Sequence, residues 1–147
     1  MAVSEPLIRK IVDADFERVA DLTNKDFPSM EMTASKVAWR LSLGYSYFVA
    51  VVGGEVVGFA DIWLGEKRAK LMGMAVEEKL RGRGIGGALI KKAIEFSIEN
   101  GKKTIYLDVR RNNLAAIHFY ERHGFIFKKE TENGGEGFYL FYRKLET

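Results

Sequence analysis

The sequence predicts a mixed α/β (α+β) fold, in which helices pack on a central and mostly antiparallel sheet. Seven short segments rich in β-branched and aromatic residues alternate with four segments of helical periodicity, in the order β-α-α-β-β-β-α-β-α-β-β. Turn signals at Gly53-Gly54 and at Gly65 join the three central strands, as in an antiparallel meander. The length of 147 residues is typical of one domain, so we expect a single domain over residues 1–147.

The first third of the chain predicts one strand followed by two helices. Residues 7–11 form the predicted strand, and Asp13 is a candidate N-cap for a helix over residues 13–23. Thr33 is a candidate N-cap for the second helix, over residues 33–43, and a glycine follows that helix as a stop signal.

The remaining elements are predicted in the same way, from the helical spacing of apolar residues and from runs of β-branched and aromatic residues. Strands are predicted at residues 45–52, 55–64, 69–76, 104–109, 127–131 and 138–143, and helices at residues 85–100 and 113–123. The helix over residues 85–100 has the clearest pattern, because apolar side chains occupy one side and Lys or Glu the other. Residues 132–137, rich in glycine and glutamate, are predicted to form a loop.

Composition excludes several classes of function. The chain has no cysteine, so disulfides, thiolate metal sites and a cysteine nucleophile are excluded, and we expect no metal. The net charge is +3 with both signs interspersed, which disfavours a nucleic-acid partner. No apolar run approaches the roughly 18 residues of a membrane span. The first five residues lack the basic flank and apolar core of a secretory signal. We therefore expect a cytoplasmic protein, either a monomer or a homodimer, with no membrane partner.

A glycine-rich segment joins the strand that ends at Val76 to the helix that begins near Ile85. Such a junction offers unpaired backbone N–H groups and the positive end of a helix dipole, and both favour a bound phosphate. Arg81 and Arg83 add positive charge. The glycines that leave room for a close approach are Gly82, Gly84, Gly86 and Gly87.

Two phosphate-binding patterns compete for these glycines. Gly82, Gly84 and Gly87 match the dinucleotide fingerprint G-x-G-x-x-G, and Asp108 follows about 20 residues later, as that fingerprint expects. However, the first glycine of that motif lies directly after its strand, whereas Gly82 comes six residues after Val76. The second pattern is R/Q-x-x-G-x-G/A, present over residues 81–86 as RGRGIG. A glycine-rich turn with surface arginines is the purely structural alternative.

The sequence resembles the Gcn5-related N-acetyltransferase (GNAT) family at this loop and in one downstream block. The block, residues 107–125, is LDVRRNNLAAIHFYERHGF and follows the frame L-[ED]-V-R-x-x-N-x-x-A-I-x-x-Y-x-x-x-G-F. Both blocks occur in the family's order and spacing, and with their flanking strands they cover about half of the chain. The closest resemblance is to the enzymes that acetylate the N-terminal alanine of ribosomal proteins.

The resemblance implies a GNAT-like fold and a binding site for acetyl-CoA, the co-substrate of the family. It implies about seven strands and four helices, with the fourth and fifth strands splayed apart. The pantetheine arm is expected to pair with the backbone of Met74, Ala75 and Val76, where one N–H polarises the acetyl carbonyl. Asn113 is expected to hydrogen-bond the same arm, although an asparagine there is also a good helix cap. The residues expected to hold the pyrophosphate are Arg81, Gly82, Arg83, Gly84, Ile85, Gly86 and Gly87.

The resemblance also assigns two catalytic roles. Tyr120 matches the general acid of the family, and an ordinary tyrosine pKa of about 10 keeps it protonated against a thiol of about 8.5. Asp108 stands where the N-terminal acetyltransferases carry a glutamate base, so Asp108 or a water molecule is the expected base. The base position of the histone-acetylating branch is held by Lys70. A core tyrosine and a structural carboxylate are the alternatives for Tyr120 and Asp108, and both histidines, His118 and His123, are interpreted as surface or helix-end residues.

The sequence thus predicts direct transfer of an acetyl group from acetyl-CoA to a primary amine, with the N-terminus of a protein or peptide as the acceptor. A small-molecule amine, such as a polyamine or an aminoglycoside, is the alternative acceptor. A non-catalytic CoA-binding module is the alternative of another class. Residues 26–31 and 130–137 are expected to select the acceptor, and the three glutamates of the second segment either attract a cationic amine or form a solvated turn: Glu130, Glu132 and Glu136.

Overall fold

Seven strands form one sheet in the order β1-β2-β3-β4-β5-β7-β6. The computed structural model describes residues 5–146, so residues 1–4, on which the expectation about a secretory signal partly rests, lie outside the described range. The strands are β1 (Leu7–Lys10), β2 (Ser46–Val52), β3 (Glu55–Leu64), β4 (Arg68–Val76), β5 (Thr104–Arg110), β6 (Ile126–Asn133) and β7 (Glu136–Lys144). The helices are α1 (Phe16–Asp26), α2 (Ala34–Ser42), α3 (Ile85–Glu99) and α4 (Leu114–Arg122).

Every neighbouring pair of strands is antiparallel except β4 and β5, which are parallel. The predicted fold class, with seven strands and four helices, is therefore confirmed. The parallel pair arises because α3 connects β4 to β5 as a crossover, whereas short turns join β2 to β3, β3 to β4 and β6 to β7. None of the helices within residues 5–146 is both long and apolar enough to cross a membrane.

The sheet separates two apolar clusters. On one face, Leu89 and Ile90 of α3 pack against Ile105 and other buried side chains of the strands. On the other face, Val19 of α1 and Val37 of α2 pack against a second group from β2, β3 and β4. Burial of the apolar side of each amphipathic helix against the sheet is the main stabilising contribution.

The start of the first helix differs from the prediction. Asp13 does not cap α1, because residues 13–15 form a short 3-10 turn and the α-helix begins at Phe16. Instead, the carboxylate of Asp15 accepts a hydrogen bond from the backbone N–H of Val12 at 2.8 Å and pairs with Arg9 at 2.7 Å. Burial is the largest single effect and opposes ionisation of this carboxyl, but the hydrogen bonds from Arg9 and Val12 and the charge of Arg9 together outweigh it, so the pKa of Asp15 is lowered. The aspartate two residues after the predicted cap thus ties the helix to β1.

Candidate acetyl-CoA site

A gap opens between β4 and β5 at their carboxyl ends. The two strands pair over only three positions, the last of which joins Lys70 to Tyr106. Beyond it, β4 continues to pair with β3 and β5 with β7, so the two strands diverge. The predicted splay of this parallel pair is therefore present.

The backbone groups that face this gap can be assigned from the pairing of β4 with β3. Glu77 donates its N–H to the carbonyl of Val57 at 2.7 Å. Because hydrogen-bonded and non-hydrogen-bonded pairs alternate along antiparallel strands, Ala75 also bonds toward β3. The N–H and C=O groups of Met74 and Val76 therefore point into the gap. Of the three residues expected to meet the pantetheine arm, two present their backbone there and Ala75 does not.

The loop between β4 and α3 presents a run of unpaired amides. Among the described residues, none accepts a hydrogen bond from the backbone N–H groups of residues 82–87, and the first bond of α3 runs from Ala88 to the carbonyl of Gly84 at 3.0 Å. Gly82 and Gly84 have φ angles of 79° and 85°, and a Cβ at either position would meet no atom within 4 Å. These six amides at the N-terminus of a helix form an open anion-binding cradle.

The other two glycines of the loop have a packing role. A Cβ on Gly86 would come within 3.3 Å of the Phe119 ring, and a Cβ on Gly87 within 3.3 Å of Nε2 of His123. These glycines let α4 pack closely against the first turn of α3. Tyr120, the neighbour of Phe119 on α4, is thereby held near the glycine loop. His123 ends α4, as expected, but it is half-buried against this turn rather than fully exposed.

The two arginines of the loop differ in their partners. Arg81 donates through Nη2 to Asp26 at 2.8 Å and through Nε to the carbonyl of Val76 at 3.1 Å. Its side chain therefore ties the loop to the end of α1 and is not directed into the cradle. Arg83 is exposed and pairs with no acidic side chain among residues 5–146, so its charge is available beside the cradle.

Tyr120 lies on α4 and is half-buried against the core on the α3 side of the sheet. Its ring makes edge contacts with Phe119 and Phe125, at centroid distances of 5.2 Å and 5.8 Å. Burial raises the pKa of Tyr120 to about 12. The hydroxyl donates to no side chain or carbonyl in the described part of the chain, so it remains a proton donor without a protein partner.

Two further predicted residues are engaged with the protein. Asn113 caps α4, because its Oδ1 accepts a hydrogen bond from the N–H of Ala116 at 3.2 Å. Only its amide nitrogen is left for another partner. Asp108 lies 2.8 Å from Nζ of Lys70, at the point where β4 and β5 separate. Both side chains of this pair are partly exposed, at 41% for Lys70 and 35% for Asp108.

The acidic hairpin at the C-terminal end is more ordered than the predicted loop. Strands β6 and β7 extend through residues 132–133 and 136–137, so only Gly134 and Gly135 form the turn. Glu130 lies 3.3 Å from Arg111, and Glu136 lies 3.3 Å from Arg110. Two of the three glutamates are therefore already paired with arginines.

The chain is similar in sequence to known acetyltransferases. Residues 16–125 match the family model described as the acetyltransferase (GNAT) family. The chain is 43% identical over 95 residues to an uncharacterized N-acetyltransferase of Methanocaldococcus jannaschii, covering 60% of this chain and 42% of that protein. It is 35% identical over 92 residues to the spermine/spermidine N(1)-acetyltransferase of Bacillus subtilis, covering 56% of this chain and 60% of that protein. The matched region thus spans less than two thirds of either relative.

The fold is shared with a solved structure, the ribosomal-protein-S18-alanine N-acetyltransferase from Escherichia coli. Its TM-score is 0.82 at 23% sequence identity, with 97% of this chain and 95% of that chain covered. The family resemblance inferred from the glycine loop and the downstream block is confirmed by the family match. The chain belongs to the acetyltransferase (GNAT) family of enzymes, for which acetyl-CoA is the co-substrate.

Proposed function

We propose that this chain forms a single N-acetyltransferase domain that transfers the acetyl group of acetyl-CoA directly to the N-terminal amine of a protein or peptide. The observation that carries the proposal is the gap between β4 and β5, which opens beside a cradle of six unpaired amides. The gap provides room for the thioester of acetyl-CoA, and the neighbouring cradle provides amide donors for its pyrophosphate. The absence of cysteine from the sequence excludes a thioester intermediate on this chain, which favours direct transfer within a ternary complex.

The backbone supplies the electrophilic assistance. The N–H groups of Met74 and Val76 face the gap, where either can donate to the oxygen that becomes negative as the amine attacks. A backbone donor held by the sheet needs no reorganisation during the reaction, which is the source of its catalytic effect. The cradle over residues 82–87 binds the pyrophosphate, and Arg83 adds its charge there.

The leaving group requires a proton, and we assign that proton to the hydroxyl of Tyr120. As the nitrogen bonds to the acetyl carbon, the carbon–sulfur bond breaks and the thiolate takes the proton of Tyr120. The raised pKa of Tyr120, about 12, means that the hydroxyl is protonated throughout the physiological range.

The amine must lose a proton, and we assign its acceptor as Asp108, directly or through a water molecule. Asp108→Asn is expected to lower kcat/KM about tenfold at pH 7, because an N-terminal amine with a pKa near 8 is mostly protonated there. This loss of kcat/KM should become smaller toward pH 9, where the substrate amine is already deprotonated and needs no base. The measurement is a pH profile of kcat/KM for the variant and the parent, and a loss that stays constant with pH would remove Asp108 from this role.

A peptide acceptor is favoured over a cationic small molecule by the charges around the hairpin. Glu130 and Glu136, which would attract a polyamine, are paired with Arg111 and Arg110. The segment LDVR over residues 107–110 also resembles the N-terminal acetyltransferases. The similarity to a spermine/spermidine acetyltransferase makes small amines the second candidate class.

The first test is a calorimetric titration with acetyl-CoA, with NAD as the comparison ligand. Selective binding of acetyl-CoA is expected, followed by release of the CoA thiol in the presence of N-terminal peptides. Binding without thiol release for any peptide or amine would indicate a non-catalytic CoA-binding module. Release of the CoA thiol only with polyamines would show that small-molecule amines, and not peptides, are the acceptors.

The cradle has its own test, with a matched control elsewhere in the chain. Gly84→Ala is expected to weaken acetyl-CoA binding about tenfold, because a left-handed residue with a Cβ costs about 1 to 2 kcal/mol and shifts the amides. Gly54 in the β2–β3 turn has nearly the same φ, 81° against 85°, and equally open surroundings. Gly54→Ala should therefore lower stability by a similar amount and leave the calorimetric affinity for acetyl-CoA unchanged. Equal affinities in the two variants would contradict the assignment.

A further inference from the structure

A second cavity lies on the opposite face of the sheet from α3, between the α1–α2 connection and β4. Its volume is about 50 Å³, and it is partly open to solvent. Its apolar walls are provided by three methionines and two phenylalanines: Met30, Met32, Met72, Phe27 and Phe59. Methionine side chains are flexible and polarisable, so such walls adapt to apolar groups of different shapes.

The polar side of this cavity is a buried ion pair. Arg40 of α2 donates through Nη2 to Asp61 of β3 and through Nε to the hydroxyl of Tyr47 at 2.8 Å. The pair is deeply buried, with side-chain exposures of 16% for Arg40 and 4% for Asp61. Since each charge meets its opposite, the lining offers no free charge to a ligand. A charged group placed there would lose its hydration without gaining a partner.

The cavity lies close to the gap between β4 and β5, because residues of β4 line it. The pairing of β3 with β4 shifts between Asp61↔Gly73 and Ile62↔Leu71, so Met72 is an extra residue in a β-bulge. Met72 and Gly73 line the cavity, and the next residue, Met74, presents its N–H to the gap. At about 3.3 Å per residue along a strand, the cavity begins within about 7 Å of that donor.

The bulge also fixes the backbone of β4 against the ion pair. A Cβ on Gly73 would lie 2.9 Å from Oδ1 of Asp61, so only glycine fits without a shift of the carboxylate. The buried pair therefore supports the wall of the cavity next to the proposed reaction centre.

We propose that this cavity is the acceptor pocket of the transferase proposed above, and that it takes an uncharged apolar side chain borne on the carbon next to the amine. Peptides that begin with methionine or leucine have this chemistry. Peptides that begin with glutamate or lysine would bring a charge to walls that have no partner for it. The inference rests on the proposed function for the position of the amine, and on the cavity itself for the side-chain class.

The five methionines of the chain allow a test that does not depend on turnover. The protein is labelled with ¹³C in the methionine methyl groups and titrated with short peptides that begin with methionine or with glutamate. The methionine peptide should shift the resonances of Met30, Met32 and Met72, and the glutamate peptide should leave them in place. Equal shifts with both peptides, or no shift with either, would contradict the assignment of this cavity as an apolar acceptor pocket.

The same spectra separate this inference from the proposed function. Acetyl-CoA should shift the resonance of Met74 in β4, whatever the peptides do. A shift of Met74 with no peptide response would leave the acetyl-CoA site in place and reject the pocket. An unmoved Met74 together with a peptide response would reject the acetyl-CoA site and keep an apolar amine-binding cavity.

A charge-introducing variant tests specificity directly. Met72→Glu is expected to lower kcat/KM for the methionine peptide and to raise it for a lysine peptide, so that their ratio changes at least about tenfold. The KM for acetyl-CoA should stay the same. The control is Leu7→Glu, at an exposed position of the edge strand β1, which should leave the ratio unchanged. An unchanged ratio in Met72→Glu would contradict the pocket.

Discussion

Replacing Tyr120 with phenylalanine should lower kcat about 100-fold, near the lower end of what a general acid contributes. The change removes only the hydroxyl, so the edge contacts of the ring with Phe119 and Phe125 are preserved. The thiolate would then leave without a proton, and only the chemical step should slow. Calorimetric affinity for acetyl-CoA should change by no more than about twofold, as expected when the lost interaction exists only in the transition state.

The control for this experiment is Tyr142→Phe. Tyr142 lies on β7, where its ring stacks on that of Tyr106 with the centroids 5.8 Å apart. This variant also loses only a tyrosine hydroxyl, at a position away from α4. Turnover of this control should equal that of the parent. Because the pKa of Tyr120 is about 12, the parent should show no alkaline loss of kcat from this group below about pH 11. Unchanged turnover in Tyr120→Phe would remove Tyr120 from the mechanism.

Arg40→Met should lower the free energy of unfolding by about 3 to 5 kcal/mol at pH 8, the cost of leaving one partner of a buried ion pair alone. Burial already raises the pKa of Asp61 from 3.8 to about 6, although Arg40 acts to lower it. Without Arg40, Asp61 would be a buried and uncompensated carboxylate. Urea unfolding followed by circular dichroism measures the change.

The pH dependence of this loss has a defined sign. A carboxyl whose folded pKa lies above its unfolded value contributes stability at low pH that disappears as the pH rises through the folded pKa. The destabilisation in Arg40→Met should therefore be smaller at pH 5, where Asp61 takes up a proton, than at pH 8. Arg111→Met provides the control, since Arg111 forms an exposed pair with Glu130, and its cost should stay below about 1 kcal/mol at both pH values. Equal losses in the two variants would show that the buried pair adds no stability.

Sequence patterns predicted the helices, the strands and the glycine loop closely, because each depends on residues near one another in the chain. The apolar face of α3, the turn at Gly53-Gly54 and the loop over residues 82–87 are local signals of this kind. Only α1 was misplaced by about three residues. There the choice between Asp13 and Asp15 was made by Arg9 of β1, a partner in a different element.

The roles of individual loop residues could be predicted only in part. The sequence grouped four glycines as one phosphate-binding set, but φ angles and neighbours divide them into two kinds. Gly82 and Gly84 form an open turn, whereas Gly86 and Gly87 make room for α4. The side chain of Arg81 turns toward Asp26, 55 residues earlier in the chain, and no local pattern indicates that contact.

The ion pair beneath the second cavity was missed entirely. One signal was present, because Asp61 is the single charged residue inside the apolar run of β3 after Glu55. A lone acid in such a run indicates a buried carboxylate that needs a partner. Its partner, Arg40, lies on a helix that also carries other polar residues, so the pairing follows only from the way α2 packs on the sheet.

The sequence by itself determined the order of the elements, the family motifs and the chemical class of the reaction, because periodicity, turn residues and motif spacing act within short stretches of chain. The tertiary structure alone decided which backbone amides face the gap, which loop glycines form the open turn and which pack against α4, and where Arg40 meets Asp61. Those features depend on strand register, on the bulge at Met72 and on contacts between residues far apart in the chain. Such contacts are selected by the packing of the whole sheet and its helices, which no short stretch of sequence contains.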